Sequence, residues 1–374
     1  MDTVQFEALV IGAGIAGASA AAALAGERRV ALIEAEEHPG YHTTGRSAAR
    51  WERHYGPPDV RLLTALSRAF FEVPPQGFAE TPLMRRRPTL FLATETQRTD
   101  LARALAESGG LREASVAEAR RLVPALRPGY AAAAAIEDDC FDLDVTAILQ
   151  GFLRQLRARG GTLALGQRAG HIERRGALWH VGTGAGDALT APIVVNAAGA
   201  WGDAVAACAG LSPLGLEPRR RTGLIIDPSP WEVADWPMVL DVGETWYARP
   251  EARTRLMVSP ADRTPTHAHD VRPDELDIAV AVERMRQALA IEVRRVEWSW
   301  AGLRTFTPDG SLALGWDGAA PGFFWCVGQG GYGIQTAPAA GRLVADLVAG
   351  RDPGPATPIV GAVDPERFRA RVRR

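Results

Sequence analysis

Near its start the chain reads Ala8-Leu9-Val10-Ile11-Gly12-Ala13-Gly14-Ile15-Ala16-Gly17, and a second apolar run, Val30-Ala31-Leu32-Ile33, ends at the acid Glu34. The two apolar runs predict buried parallel strands, and the small residues between them predict a helix. The first glycine permits the tight turn, the second lets backbone approach a pyrophosphate, and the third lets the helix pack on the sheet. Glu34 stands where a carboxylate accepts hydrogen bonds from a ribose diol. Together these features predict a dinucleotide-binding βαβ unit.

Bulk properties limit the class of protein. At 374 residues the chain has room for two domains, each with its own core. A formal net charge of −2 argues against nucleic acid as a partner. The cysteines Cys140, Cys208 and Cys326 are widely spaced and form no C-x-x-C. We therefore expect neither a disulfide framework nor a metal site.

The apolar segment 8–26 does not have the form of a signal peptide. The residues before it include Asp2 and Glu7 but no basic residue, so no positively charged region precedes the apolar one. A buried parallel strand and its small-faced helix explain the same apolarity. The sequence predicts a cytoplasmic protein with no integral membrane segment.

The patterns along the rest of the chain predict an α/β fold with two domains. Residues 1–50, 140–210 and 297–374 are expected to form a discontinuous, Rossmann-like nucleotide-binding domain. Residues 51–139 and 211–296 are expected to form an α+β substrate domain on a mixed, largely antiparallel sheet. Within this plan Asp144 is expected to cap a helix over 145–159. Residues 323–327 are expected to form a last buried strand before a glycine-rich turn and a closing helix.

Four motifs follow the βαβ unit and carry a resemblance. They read His42-Thr43-Thr44-Gly45-Arg46-Ser47-Ala48-Ala49, Val195-Asn196-Ala197-Ala198-Gly199-Ala200-Trp201, Trp300-Ala301-Gly302-Leu303-Arg304 and Gly328-Gln329-Gly330-Gly331-Tyr332-Gly333-Ile334-Gln335-Thr336. In this order they resemble the FAD-dependent D-amino acid oxidase (DAO) family over nearly the whole chain, and within it the bacterial D-arginine dehydrogenases most. The resemblance implies FAD rather than NAD as the cofactor, and an FAD-binding role for the nucleotide domain.

The resemblance also implies which residues hold the cofactor. The loop after the βαβ unit would offer backbone N–H groups, and the last glycine-rich turn and helix start would stabilise negative charge on the reduced flavin. With no cysteine near Arg304, the FAD is expected to be non-covalent. The residues implied are Gly12, Gly14, Ile15, Ala16, Gly17, Glu34, Thr43, Thr44, Arg46, Ser47, Ala48, Ala198, Gly199, Trp201, Gly330, Gly331, Tyr332, Gly333, Ile334 and Gln335.

Two arginines and two tyrosines are the candidate substrate ligands. Arg304 matches the family arginine after Ala-Gly-Leu. Arg221 closes the run Pro218-Arg219-Arg220-Arg221 at the head of a strand, where Arg219 and Arg220 are the alternatives. As a guanidinium pair, Arg221 and Arg304 would clamp a carboxylate. Tyr55 and Tyr247 match tyrosines that contact substrate, and the carbonyl of Gly331 would accept from the substrate amine.

Two positions depart from the resembled pattern. Thr89 stands where the D-arginine dehydrogenases have a glutamate that holds the substrate guanidinium, and Arg50 stands where they have a histidine. A lost carboxylate and an added cation predict neutral or acidic rather than basic substrate side chains.

The implied reaction is oxidative deamination of a D-amino acid to a 2-oxo acid and ammonia, with hydride transfer from Cα to flavin N5. The electron acceptor stays open between a quinone, a dye-like carrier and O2. Alternatives are a secondary-amine or glycine oxidase, a 2-hydroxy acid dehydrogenase and, as a different class, a non-catalytic flavoprotein.

Overall fold

The computed structural model describes residues 4–184 and 188–369. The helices in these ranges are α1 (Ile15–Leu24), α2 (Pro58–Glu72), α3 (Arg98–Glu107), α4 (Val116–Leu122), α5 (Val145–Ala158), α6 (Gly202–Cys208), α7 (Glu275–Ala288), α8 (Gly333–Val348), α9 (Val360–Val363) and α10 (Glu366–Arg369). The strands of the first half are β1 (Val4–Gln5), β2 (Ala8–Ile11), β3 (Val30–Ile33), β4 (Arg50–Glu52), β5 (Met84–Arg86), β6 (Thr89–Ala93), β7 (Leu111–Ala114), β8 (Ala133–Glu137), β9 (Cys140–Leu143), β10 (Thr162–Ala164), β11 (Ala169–Arg175) and β12 (Leu178–Thr183). Those of the second half are β13 (Ala188–Ala191), β14 (Val194–Asn196), β15 (Glu217–Ile226), β16 (Met238–Asp241), β17 (Tyr247–Glu251), β18 (Arg255–Ser259), β19 (Thr264–Pro265), β20 (Val296–Phe306), β21 (Ala313–Trp316) and β22 (Phe323–Val327).

A six-stranded sheet, in the order β10-β3-β2-β14-β22-β21, carries the predicted βαβ unit. Every pair in it is parallel except β21–β22. Its inner strands β3, β2, β14 and β22 are buried on both faces, as their continuous apolar runs predict. One face packs against α1, α5 and α8, and the other packs against the small sheet β1-β13-β12-β11.

A nine-stranded mixed sheet forms the second layer. Its strands run in the order β19-β15-β18-β17-β16-β6-β8-β7, with β20 also paired to β15. The β16–β6 pair is parallel and the other pairs are antiparallel. One face is covered by α4 and α7. The other face presents Met238, Leu240 and Tyr247 toward the first sheet's loops. The predicted α/β class with a largely antiparallel second sheet is confirmed.

Two predictions made from adjacent residues are confirmed, the cap at Asp144 and the last buried strand. Helix α5 begins at Val145, and the Asp144 side chain accepts a hydrogen bond from the Ala147 N–H at 2.8 Å. Strand β22 occupies the predicted residues, and α8 follows its glycine turn.

The division of the chain differs from the predicted one at residues 297–306. The sequence places them in the nucleotide domain, but β20 pairs with β15 along almost its whole length and so belongs to the large sheet. Cys140–Leu143 likewise pairs with β4 and β5 in a three-stranded sheet and not with the parallel sheet. The other predicted domain boundaries remain a prediction.

Candidate functional site

The glycine turn after β2 is held from two sides. Gly12 has a φ of +104°, and a Cβ there would lie 2.6 Å from the carbonyl oxygen of Ala197. The N–H of Ala13 donates to Oε2 of Glu34 at 2.7 Å, and the N–H of Ile15 donates to Oγ1 of Thr44 at 3.0 Å. The acid after β3 and the loop after it therefore fix the turn and the start of α1.

A cavity of about 450 Å³, here called the nucleotide cavity, opens above this turn. It runs from the end of β3 past the glycine turn to the start of α8. Fifteen of the residues predicted to bind FAD line it, namely Gly12, Gly14, Ile15, Ala16, Glu34, Thr43, Thr44, Ser47, Ala198, Gly199, Trp201, Gly330, Gly331, Gly333 and Ile334. The glycines keep side-chain atoms away from its floor, and Glu34 stands at one end. These are the features that an extended dinucleotide requires.

Two of the other predicted FAD residues have packing partners outside this cavity. Gly17 lies against the turn, since a Cβ there would come within 1.8 Å of the carbonyl oxygen of Gly12. Arg46 points away from the cavity and donates to Asp270 at 2.5 Å and to the carbonyl oxygens of Ala301 and Val271 at 3.1 Å. Arg46 therefore ties the loop to the large sheet.

The remaining three lie on the other side of the loop and of α8. Ala48 lines the second cavity described below. Tyr332 packs edge-on against Tyr55, with ring centroids 5.1 Å apart. Gln335 also lines the second cavity, and its amide donates to Oγ1 of Thr64 at 2.9 Å.

The structure adds residues to the nucleotide cavity that sequence reasoning missed. Segment 167–170 lines the nucleotide cavity because β10 pairs with β3. No local sequence pattern predicts this pairing. His42 and Glu36 also line the cavity, with Nε2 of His42 3.1 Å from Oε1 of Glu36. The position of Glu36 two residues after Glu34 could have predicted that it lines the cavity. Cys208 lines the cavity from the end of α6.

A second cavity of about 230 Å³, here called the substrate cavity, lies against the large sheet. It meets the nucleotide cavity at three residues that line both, Ser47, Gly331 and Ile334. All seven predicted substrate residues lie at or beside it. Six line it directly, namely Arg50, Tyr55, Arg221, Tyr247, Arg304 and Gly331.

Arg304 lies at the junction of the two cavities. Its Nη1 donates to the hydroxyl of Tyr55 at 3.0 Å. A Cβ on Gly331, whose φ is +98°, would lie 2.9 Å from Nε of Arg304. Within residues 4–184 and 188–369, no carboxylate lies within ion-pair distance of this guanidinium. The arginine is thus held in place but its charge is not neutralised.

Arg221 is close enough to Arg304 for their charges to interact. Burial lowers the pKa of Arg221, and the positive charge of Arg304 lowers it further. Its Nε donates to the carbonyl oxygen of Asp262 at 2.8 Å. Among the described residues its buried Nη2 has no acceptor. Nε also lies 4.0 Å from Oδ1 of Asp262. A carboxylate ligand would supply the acceptor that Nη2 lacks.

The same two cations lower the pKa of Tyr247. Its burial works to raise its pKa, but the charges of Arg221 and Arg304 prevail and hold that pKa below its ordinary value. The Arg221 guanidinium carbon lies 5.9 Å from the centre of the Tyr247 ring. This wall of the cavity is therefore electropositive.

The structure corrects the interpretation of Arg50 and Thr89. Arg50 donates to Oε1 of Glu52 at 2.8 Å, to Oδ1 of Asp142 at 2.9 Å and to Oγ1 of Thr89 at 2.7 Å. Its charge is compensated inside the protein, and Thr89 is occupied with holding it. Arg50 is therefore no free cation in the cavity. The added cation therefore gives no reason to expect neutral or acidic substrates, and only the carboxylate missing at Thr89 still supports that expectation.

Comparison with known proteins gives the family. The profile described as DAO, FAD dependent oxidoreductase, matches residues 7–347. FAD-dependent oxidoreductase domain-containing protein 1 is 28% identical over 174 residues in Xenopus laevis and 25% identical over 244 residues in Bos taurus. These alignments cover 42% and 55% of this chain, and 34% and 49% of the two relatives. The chain thus spans less than half the length of the curated relatives it matches.

Several solved structures share the fold. L-proline dehydrogenase from P. horikoshii superposes with a TM-score of 0.84 at 21% identity, covering 99% of both chains. Glycine oxidase from Geobacillus kaustophilus gives 0.82 at 23% identity, covering 94% of this chain and 96% of that one. Iminodiacetate oxidase from Chelativorans sp. BNC1 gives 0.78 at 23% identity, covering 92% and 96%.

No helix within residues 4–184 and 188–369 has the length and apolarity needed to cross a membrane. In the same ranges, no group of three or more His, Cys, Asp or Glu side chains is placed to hold a metal ion. The two joined cavities and the family match over residues 7–347 lead to one conclusion: the chain belongs to the DAO family of FAD-dependent oxidoreductases.

Proposed function

We propose that this FAD-dependent oxidoreductase deaminates D-amino acids oxidatively to 2-oxo acids and ammonia. The observation that supports this most is the Arg221–Arg304 pair. Among the described residues, Arg304 has no carboxylate within ion-pair distance, and the buried Nη2 of Arg221 has no acceptor. The pair lines a cavity that meets the nucleotide cavity at Gly331. The preference for the D-enantiomer, and the likeness to D-arginine dehydrogenases, rest on the resemblance of the motifs.

The protein's own groups bind and orient the substrate in this proposal. The guanidinium groups of Arg221 and Arg304 bind the α-carboxylate, and Tyr55 holds Arg304 in position. The carbonyl oxygen of Gly331 accepts from the α-amine. FAD, when bound, would accept the hydride from Cα, which carries both electrons of the oxidation. The amine loses a proton as its lone pair forms a C=N bond, and water hydrolyses the resulting imine.

The same carboxylate clamp would also serve a secondary-amine or glycine oxidase, or a 2-hydroxy acid dehydrogenase. The solved structures that share the fold include enzymes named for proline, glycine and iminodiacetate. A cavity of about 230 Å³ offers far more room than glycine needs. This volume favours a substrate with a side chain.

The test is the visible spectrum of the purified protein under anaerobic conditions. We expect flavin absorbance to bleach on adding particular D-amino acids but not their L-enantiomers. Readmitted air then separates an oxidase from a dehydrogenase by the rate at which colour returns. Bleaching by glycine, sarcosine or 2-hydroxy acids alone would replace the proposal with one of its alternatives. Flavin that no compound bleaches would support a non-catalytic flavoprotein.

A further inference from the structure

The substrate cavity has two polar ends on opposite parts of one sheet. Arg221 and Arg304, the arginine pole, lie on β15 and β20. Glu137 and His54, the acid pole, lie at the end of β8 and just after β4. Four strands, β18, β17, β16 and β6, separate β15 from β8. Met238, Leu240 and Phe91, on two of these strands, line the cavity between the poles.

The acid pole is built around a buried carboxylate with spare hydrogen-bonding capacity. Glu137 is only 5% exposed. Its Oε1 lies 2.7 Å from Nδ1 of His54. Across residues 4–184 and 188–369, Oε2 receives no hydrogen bond, although the residue lines the cavity. This oxygen is therefore open to a hydrogen-bond donor that enters the cavity.

Nearby cations do not fill this role. Arg50 is committed to Glu52, Asp142 and Thr89 and makes no hydrogen bond to Glu137. Arg87 pairs with Asp142 in the same way. Among the described residues, His54 is therefore the one hydrogen-bonded partner of the Glu137 carboxylate.

We propose that the acid pole binds a cationic group, an ammonium or a guanidinium, at the end of the substrate's side chain. This rests on the proposed function, which places the α-carboxylate at the arginine pole. The substrate is then a D-amino acid with a basic side chain and a methylene stem against Met238, Leu240 and Phe91. The proposal reverses the sequence-based expectation of a neutral or acidic side chain.

Both poles open into the same cavity. His54 and Tyr55 are consecutive residues, with Cα atoms about 3.8 Å apart across a trans peptide. His54 contacts Glu137 at 2.7 Å, whereas Tyr55 contacts Arg304 at 3.0 Å. Two consecutive residues thus contact one pole each.

The test uses two carboxylates that differ only at the far end, hexanoate and 6-aminohexanoate, added to the FAD-loaded enzyme. Neither has an α-amine, so neither is deaminated, and binding is read from perturbation of the flavin absorbance. We expect 6-aminohexanoate to bind at least about tenfold more tightly than hexanoate. Glu137→Gln should bring the two affinities within about twofold and leave that of hexanoate unchanged. Glu113→Gln, the same substitution at an exposed position on neighbouring β7, should keep the wild-type ratio.

The affinity ratio is measured within each variant, and FAD content and far-UV circular dichroism report whether Glu137→Gln is folded. Equal binding of the two carboxylates to the wild type, no binding of either, or a preference that survives Glu137→Gln would each overturn the proposal. D-lysine and D-norleucine then test deamination separately. If neither reduces the flavin while the 6-aminohexanoate preference stands, the proposed function fails and the acid pole remains. If D-norleucine reduces it as well as D-lysine does, with equal carboxylate affinities, the acid pole fails alone.

Discussion

The hydroxyl of Tyr55 accepts a hydrogen bond from Nη1 of Arg304 at 3.0 Å. Burial opposes the positive charge of Arg304, but Tyr55 and Tyr247 outweigh it and hold the pKa of Arg304 above its ordinary value. The guanidinium is therefore charged at neutral pH. Its hydrogen-bond partner is a hydroxyl and not a carboxylate, so its charge stays available to an anionic ligand.

Replacing Arg304 by lysine should weaken substrate binding. An ammonium cannot reproduce the two-point contact of a guanidinium with a carboxylate, and such charged hydrogen bonds contribute about 1.5–3 kcal/mol. We expect kcat/KM for the best D-amino acid to fall roughly 10- to 100-fold. Arg219→Lys is the matched control, because Arg219 pairs with Glu217 and does not line the substrate cavity. Equal losses in the two variants would contradict the assignment.

Replacing Gly12 by alanine should impair FAD retention. The new Cβ would meet the carbonyl oxygen of Ala197 at 2.6 Å, and its positive φ of +104° is strained for any L side chain. Such strain costs about 1–3 kcal/mol. We expect a lower melting temperature and flavin lost on dialysis, measured from the ratio of visible to protein absorbance. Gly170→Ala is the control, since Gly170 lines the same cavity and its Cβ would meet nothing within 4 Å.

The flavin should not be covalently attached. Cys326 is buried in β22, and this burial raises the pKa of its thiol to about 12, so the reactive thiolate is absent at neutral pH. Acid precipitation should leave all of the yellow colour in the supernatant. Cys208 lines the nucleotide cavity, so Cys208→Ser should also be examined and should retain the wild-type flavin content. Flavin that pellets with the polypeptide would refute the prediction.

Glu137 should make stability depend on pH. Burial raises the pKa of Glu137 above its ordinary value of 4.5, despite its contact with His54. The folded state therefore favours the protonated carboxyl, and this contribution is present at low pH and is lost as pH rises through the raised pKa. Glu137→Gln should remove this pH-dependent loss of stability. The melting temperature of the variant should therefore rise relative to that of the wild type between pH 4.5 and neutrality. A constant difference across this range would contradict the prediction.

Much of the nucleotide cavity could be predicted because its signals are local. The turn at Gly12, the acid Glu34 and the glycine-rich turn at Gly330 each sit within a few residues of the strand that positions them. The cap at Asp144 is likewise encoded by adjacent residues. Such features follow from backbone sterics and short-range hydrogen bonds.

The features that sequence reasoning missed depend on pairing between distant segments. Strand β20 is long and carries polar residues among apolar ones, and its partner β15 lies about 80 residues earlier. Glu137 follows a run of alanines that gives no sign of a site, yet the register of β6 and β8 sets it opposite Thr89. The partners of Arg50 come from three separate segments. No periodicity in the sequence encodes these neighbours.

The adjacency of His54 and Tyr55 bears on how selectivity in this enzyme could be changed. Insertions or substitutions that shift this short segment would disturb recognition of the backbone carboxylate and of the side chain together. Random variation in the segment should therefore yield inactive enzymes more often than enzymes with a new preference. Substitutions on strand β8 can change Glu137 separately, because Tyr55 and Arg304 keep their contact when Glu137 is altered. Engineering of a new substrate range should begin at β8 and leave the loop after β4 untouched.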